Sequence, residues 1–121
     1  MKRLAIAAIA AAGLFAAAES AHAACTFDIA AGLNTDGKGI PYPGAEGRPW
    51  FTSGQTIALA GKPYDKYGLP REFGAMDLPL LEKAGVFGGV IAFTEKGGDR
   101  EVIYVPVNAA ACTFQPYQLM R

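Results

Sequence analysis

Histidine is almost missing from this chain: the one present, His22, sits in the apolar start of the sequence rather than in its body. With residues 1–23 set aside, no histidine remains to build a Ser-His-Asp or Cys-His arrangement. The commonest transition-metal ligand is lost with it. Serine is nearly as scarce, with Ser53 alone beyond the start and nothing beside it to activate the hydroxyl. An excess of charge of one sign is also lacking, since 11 Lys and Arg face 11 Asp and Glu. Lys2, Arg3 and Glu19 belong to the first segment, so the body carries nine basic and ten acidic residues and a formal charge of −1. There is no basic run. Nucleic-acid binding, which depends on neutralising phosphates, is therefore excluded as an expectation. Beyond Ala18 no apolar run is long enough to cross a bilayer, so no membrane span is expected once the start is removed.

That start has three parts. Met1-Lys2-Arg3 is a short basic opening, Leu4 to Ala18 is apolar, and Ala21-His22-Ala23 is an Ala-x-Ala ending. Together they read as a secretory signal peptide cleaved after Ala23. About 15 apolar residues is short for an anchor, which wants ~20. A lipid-attachment reading of Cys25 wants a Leu-like residue where His22 stands. The expected organisation is a signal peptide over residues 1–23 and one exported domain over residues 24–121. The Ala-rich leader points to a bacterium, with the periplasm or the exterior as destination.

A domain of 98 residues buries a modest core and benefits from a covalent staple. Cys25 and Cys112 are the only cysteines. An even count in an oxidising compartment predicts a Cys25–Cys112 bridge. The similar surroundings, Ala24-Cys25-Thr26-Phe27 and Ala111-Cys112-Thr113-Phe114, suggest first and last strands lying side by side.

The fold expected is all-β or β-rich: a small single-domain barrel or sandwich with a C-terminal hairpin and at most one short helix. Residues 89–95 and 100–107 are rich in apolar and β-branched residues, and Lys96-Gly97-Gly98-Asp99 reads as the turn between them. That register sets Glu95 opposite Arg100, Phe93 opposite Val102 and Ile91 opposite Tyr104. Both faces are apolar, which predicts a central hairpin covered on both sides or closed into a barrel. Residues 56–60 and 48–52 read as further strands, and residues 77–84 as a short helix capped by Asp77 or, nearly as well, as an extended Leu78-Pro79-Leu80. Gly32 to Pro49 and Gly61 to Gly74 are rich in glycine and proline and read as long loops.

Two motifs fail on their spacing. Gly32 to Lys38 fits most of a phosphate loop, but Gly39 stands where Ser or Thr should hold magnesium, and Pro41 and Pro43 forbid the helix that should follow. Asn34, Asp36 and Gly37 resemble the start of a calcium loop, but the closing Glu is one residue late at Glu46. No metal site and no cofactor is expected.

What remains is a set of rings among the loops: Tyr42, Trp50, Phe51, Tyr64, Tyr67 and Phe73. Flat rings among prolines can dock a peptide or a sugar, and rings also fill small cores. Arg71 and Glu72 could recognise a polar partner or simply pair on the surface. The candidate binding residues are Trp50, Tyr42, Tyr64, Tyr67 and Arg71, with Trp50 foremost. No catalytic residue is assigned. The function expected is a small binding or inhibitory module of the cell envelope that recognises a protein, peptide or glycan. A structural or accessory subunit of an envelope assembly is the alternative. A small enzyme using paired carboxylates among Asp28, Asp36, Glu46, Asp65, Glu72 and Asp77 comes third.

Overall fold

The computed structural model describes residues 25–28, 32–34 and 39–121. The leader over residues 1–23 and the Asp36–Lys38 part of the glycine-rich turn lie outside the described residues.

Among the described residues, ten strands and one short helix follow in order. They are β1 (Thr26–Asp28), β2 (Gly32–Asn34), β3 (Ile40–Pro41), α1 (Pro49–Thr52), β4 (Ile57–Leu59), β5 (Lys62–Lys66), β6 (Arg71–Glu72), a 3-10 turn at Leu78–Leu80, β7 (Leu81–Phe87), β8 (Val90–Glu95), β9 (Val102–Asn108) and β10 (Thr113–Leu119). The small sheet runs β2-β1-β3. The large one runs β4-β5-β10-β9-β8-β7, with β6 continuing alongside β10. The large sheet curls into a half-barrel whose ends meet. Leu59 of β4 lies so close to Gly85 of β7 that a Cβ on Gly85 would stand 3.0 Å from Leu59 Cγ.

Strand alternation sorts the central side chains onto two cores. Val90 and Ala92 of β8, Ile103 and Val105 of β9, and Tyr117 of β10 fill the concave side. Phe93, Tyr104 and Phe114 point the other way, where Leu33, Tyr42, Phe73 and Leu78 cover them. The β8–β9 hairpin is thus apolar on both faces because both are buried, as its composition implied.

Its register differs from the expected one by two residues: Phe93 stands opposite Tyr104. A shift of two keeps every side chain on its own face, whereas a shift of one would invert both cores. The cause lies outside the hairpin. Arg100 adopts a left-handed φ of 63°. Its carbonyl accepts the Tyr64 hydroxyl at 2.9 Å, and the Glu101 carbonyl accepts the Leu119 N–H at 2.8 Å. Residues 100–101 are therefore held by β5 and β10 rather than β8, and the connection widens. Glu101 pairs with Arg121 instead of the expected Glu95–Arg100 contact forming.

Three further expectations change. Residues 48–52 are not a strand: Pro49 opens α1, and the Phe51 and Thr52 N–H groups both donate to the Arg48 carbonyl at 2.9 Å. Proline's fixed φ suits that first helical position. Residues 77–84 yield only the 3-10 turn, because Leu81 onward pairs with β8 along its whole length, from Leu81–Glu95 to Phe87–Val90. The long loops hold short strands, and β5 within residues 61–74 pairs on both sides, with β4 and β10.

Cys25 and Cys112 form a disulfide with Cα atoms 5.3 Å apart. The two strands beside it are not neighbours, however. β1 lies between β2 and β3, and the Cys25 N–H donates to Ala109 in the β9–β10 turn at 2.8 Å. The bridge staples the small sheet to that turn. No helix among the described residues is long and apolar enough to cross a membrane.

Inside the half-barrel, the buried Tyr117 hydroxyl has no hydrogen-bond partner among the described residues. Burial pushes its phenol up from 10.0 to about 12, and the Asp65 charge adds to the shift. A raised folded-state value means the folded protein holds the proton more tightly than the unfolded chain. The stabilisation is therefore complete below pH 10 and is lost as pH rises through about 12. Tyr117→Phe is expected to keep neutral-pH stability or raise it by about 1 kcal/mol, since it removes an orphaned buried hydroxyl. It should also flatten the alkaline loss, which urea unfolding at neutral pH and again inside that window would measure.

Candidate functional site

The fold separates the five candidate binding residues. Tyr42 is buried in the second core, its ring 5.4 Å from that of Phe114, and its hydroxyl donates to the Asn108 carbonyl at 3.0 Å. Burial drives its phenol well above the usual range. Tyr64 is buried in the first core, where desolvation raises its phenol and the nearby Arg100 partly offsets this. Trp50 is half-buried at the end of the half-barrel. Its ring meets Phe87 edge-on at 5.0 Å and Phe51 at 6.2 Å. The indole also presses on the β7–β8 turn: a Cβ at Gly88 would lie 2.5 Å from Nε1. Arg48 fixes that turn by donating to the Gly88 carbonyl at 2.7 Å. These three rings serve packing.

Tyr67 and Arg71, by contrast, are exposed and flank one crest, the loop that leaves β5 at Tyr67 and enters β6 at Arg71. Sequence chemistry and tertiary contacts both set its shape. Gly68 takes the left-handed φ of 73° that the bend requires, and Pro70 removes backbone freedom at the far side. The Tyr67 N–H donates to the Pro116 carbonyl at 3.0 Å. Beneath the crest, the buried Gln115 amide nitrogen is within reach of three carbonyls: Gly68 at 3.1 Å, Pro116 at 3.0 Å and Tyr67 at 3.5 Å. Just after the crest, the Phe73 N–H donates to the Cys112 carbonyl at 3.0 Å. The loop is thus tied to β10 at both ends and from below.

At its tip stands Leu69, 81% exposed, beside Tyr67 at 52%. Leu69 and Tyr67 together present an apolar surface on a loop that is tied down beneath them. Beside it opens a hollow of ≈ 530 Å³, lined by Tyr67, Leu69, Pro70, Arg71, Tyr104 and Pro116 with Val102. The Arg71 guanidinium lies over two rings, 5.2 Å from the centre of Phe73 and 6.0 Å from that of Tyr104. Such stacking holds the cation in place while leaving its outer donors free. Among the described residues Arg71 joins no ion pair. On its other side a smaller hollow of ≈ 80 Å³ is lined by Phe73, Asp77, Leu80, Glu95 and Tyr104. Asp77 there accepts the Gly74 N–H at 2.9 Å. The face is therefore apolar, with one preset cation at its centre and carboxylates at one end.

Leu69, Tyr104 and Gln115 complete this face, and sequence reasoning did not single them out. The local signal for Leu69 was there: an apolar residue held between Gly68 and Pro70 in a turn. Gln115 also had one, as a polar residue set between the apolar Phe114 and Pro116. The chain matches no protein family, no curated protein sequence and no solved structure.

Proposed function

We propose that this chain is an exported binding module, working in the periplasm or outside the cell, that recognises an extended peptide segment of a partner protein through the Tyr67–Arg71 crest. It carries out no chemistry in this reading. The observation that carries it is the exposed Leu69 on a loop clamped by buried Gln115, next to an Arg71 already seated on two rings. Preset anchors reduce the ordering cost of association, which is what a small recognition surface needs. An apolar side chain of the peptide would fill the hollow, and a nearby carboxylate would meet Arg71. The leader-like start and the disulfide support export, and the disulfide-stapled β fold is compatible with an extracytoplasmic place.

An assembly subunit that adds strands to its neighbours has less support. The outer strands β3 and β6 are two residues long and β2 is three, while β4 and β7 face each other. The short edges offer little to a pairing strand, and the seven-residue edge of β7 meets β4 at Gly85.

Peptides selected by the disulfide-bonded protein from a displayed random library test the proposal. Selection should enrich sequences that pair an apolar residue with an acidic one. Arg71→Ala should weaken the best of them about tenfold or more, the scale of an interface anchor. Enrichment of nothing, or binding indifferent to both Arg71→Ala and Leu69→Ser, would overturn it.

A further inference from the structure

Past Leu81, where the small sheet lies over β7 and β8, the surface opens into a groove of ≈ 460 Å³. Phe27 and Leu33 line it from β1 and β2, Leu78 and Pro79 from the 3-10 turn, and Leu81 and Ile91 from β7 and β8. The Phe27 ring meets Phe93 edge-on at 5.5 Å, which seats the small sheet on the outer face of β8. Leu33, Leu78 and Leu81 are buried members of the second core, so the groove is a continuation of that core toward solvent. Its size falls within the range of small-molecule sites.

The polar lining is cationic in balance. Lys83 and Lys96 both border the groove and are exposed, and Glu82 is the one carboxylate among its described lining residues, with Glu95 next to Lys96 outside the lining. Neither lysine joins an ion pair among the described residues. Lys83 follows Leu81 by two positions, which puts it on the same face of β7. Long lysine stems can lie along apolar walls and keep their ammonium groups at the mouth.

We propose that this groove binds an anionic amphiphile: a straight acyl chain packs among Phe27, Leu33, Leu81 and Ile91, and its carboxylate sits between Lys83 and Lys96. The site is separate from the crest and does not depend on the crest's role. The apolar walls select the chain, and the surplus positive charge at the mouth selects the head.

Calorimetric titration of the disulfide-bonded protein with dodecanoate below its micelle concentration tests this, with dodecyltrimethylammonium as the cationic counterpart. Dodecanoate should bind saturably at one site and shift the methyl resonances of Leu33 and Ile91. Replacing both lysines (Lys83→Ser with Lys96→Ser) should weaken it about tenfold, a change in charge complementarity rather than in packing. Both positions are exposed, so the variant should fold, and an unchanged unfolding midpoint will show that it does. Arg71→Ala should leave dodecanoate binding unchanged. The proposal is overturned if no saturable binding occurs, if the cationic amphiphile binds as well, if the lysine variant binds normally, or if Arg71→Ala abolishes binding.

Discussion

Replacing Cys25 and Cys112 by serine is expected to lower the unfolding free energy by about 4–5 kcal/mol in the chain-entropy account. The bridge spans 87 positions, most of the described chain, so its loss frees the unfolded state of a large constraint. The folded state loses something as well. β1 pairs with β2 and β3, and the tether to the β9–β10 turn fixes that small sheet over the second core. Small domains have about 5–15 kcal/mol in total, so the variant should be near its limit. The melting temperature should fall by about 20 °C or more. Urea unfolding of the oxidised protein and the double serine variant measures the difference. Coincident transitions would show that packing alone holds the small sheet and that the bridge contributes nothing.

Phe114→Ala should cost about 3–5 kcal/mol, the range for deleting a large buried ring. Phe114 is fully buried on β10. Its ring stacks on Phe73 at 4.9 Å and 26°, tilts against Tyr42 at 5.4 Å and meets Phe93 edge-on at 6.2 Å. Each such pair adds about 0.5–1.5 kcal/mol beyond the area buried. The consequence reaches the surface, because Phe73 is the platform for the Arg71 guanidinium. Under conditions where the variant remains folded, peptide binding by the crest should weaken too. Phe114→Leu should lose less on both counts, since leucine refills part of the volume. A variant with Phe114→Ala that unfolds at the wild-type midpoint would contradict this account of the second core.

Composition made some of this architecture legible and tertiary context hid the rest. The two apolar faces of the β8–β9 hairpin could be read because alternation is a local property of the chain. Its register could not, since Tyr64 and Leu119, far away in sequence, hold Arg100 and Glu101. The pairing of two cysteines was legible from their number, while the place of β1 was not, because similar tetrapeptides around them carry no information about strand order. Residues 48–52 look like a strand by propensity, yet Pro49 and the burial of Phe51 make them a helical turn.

The candidate site divides along the same line. A ring that fills a core and a ring that binds a ligand look alike in sequence, so Tyr42, Tyr64 and Trp50 stood beside Tyr67 until the fold separated them. Tyr67 and Arg71 were visible as loop residues. What makes their loop a platform is the Gln115 amide beneath it and the Phe73 and Tyr104 rings beneath Arg71, all brought there by strand pairing.

The most direct measurement places a photo-crosslinking amino acid at position 69, with position 52 as the exposed control on α1, in full-length protein made in the cell and irradiated there. Crosslinking from position 69 should give one discrete adduct, lost when Arg71→Ala is added, and position 52 should give none. No adduct from position 69, or the same adduct from position 52, would contradict recognition by the crest.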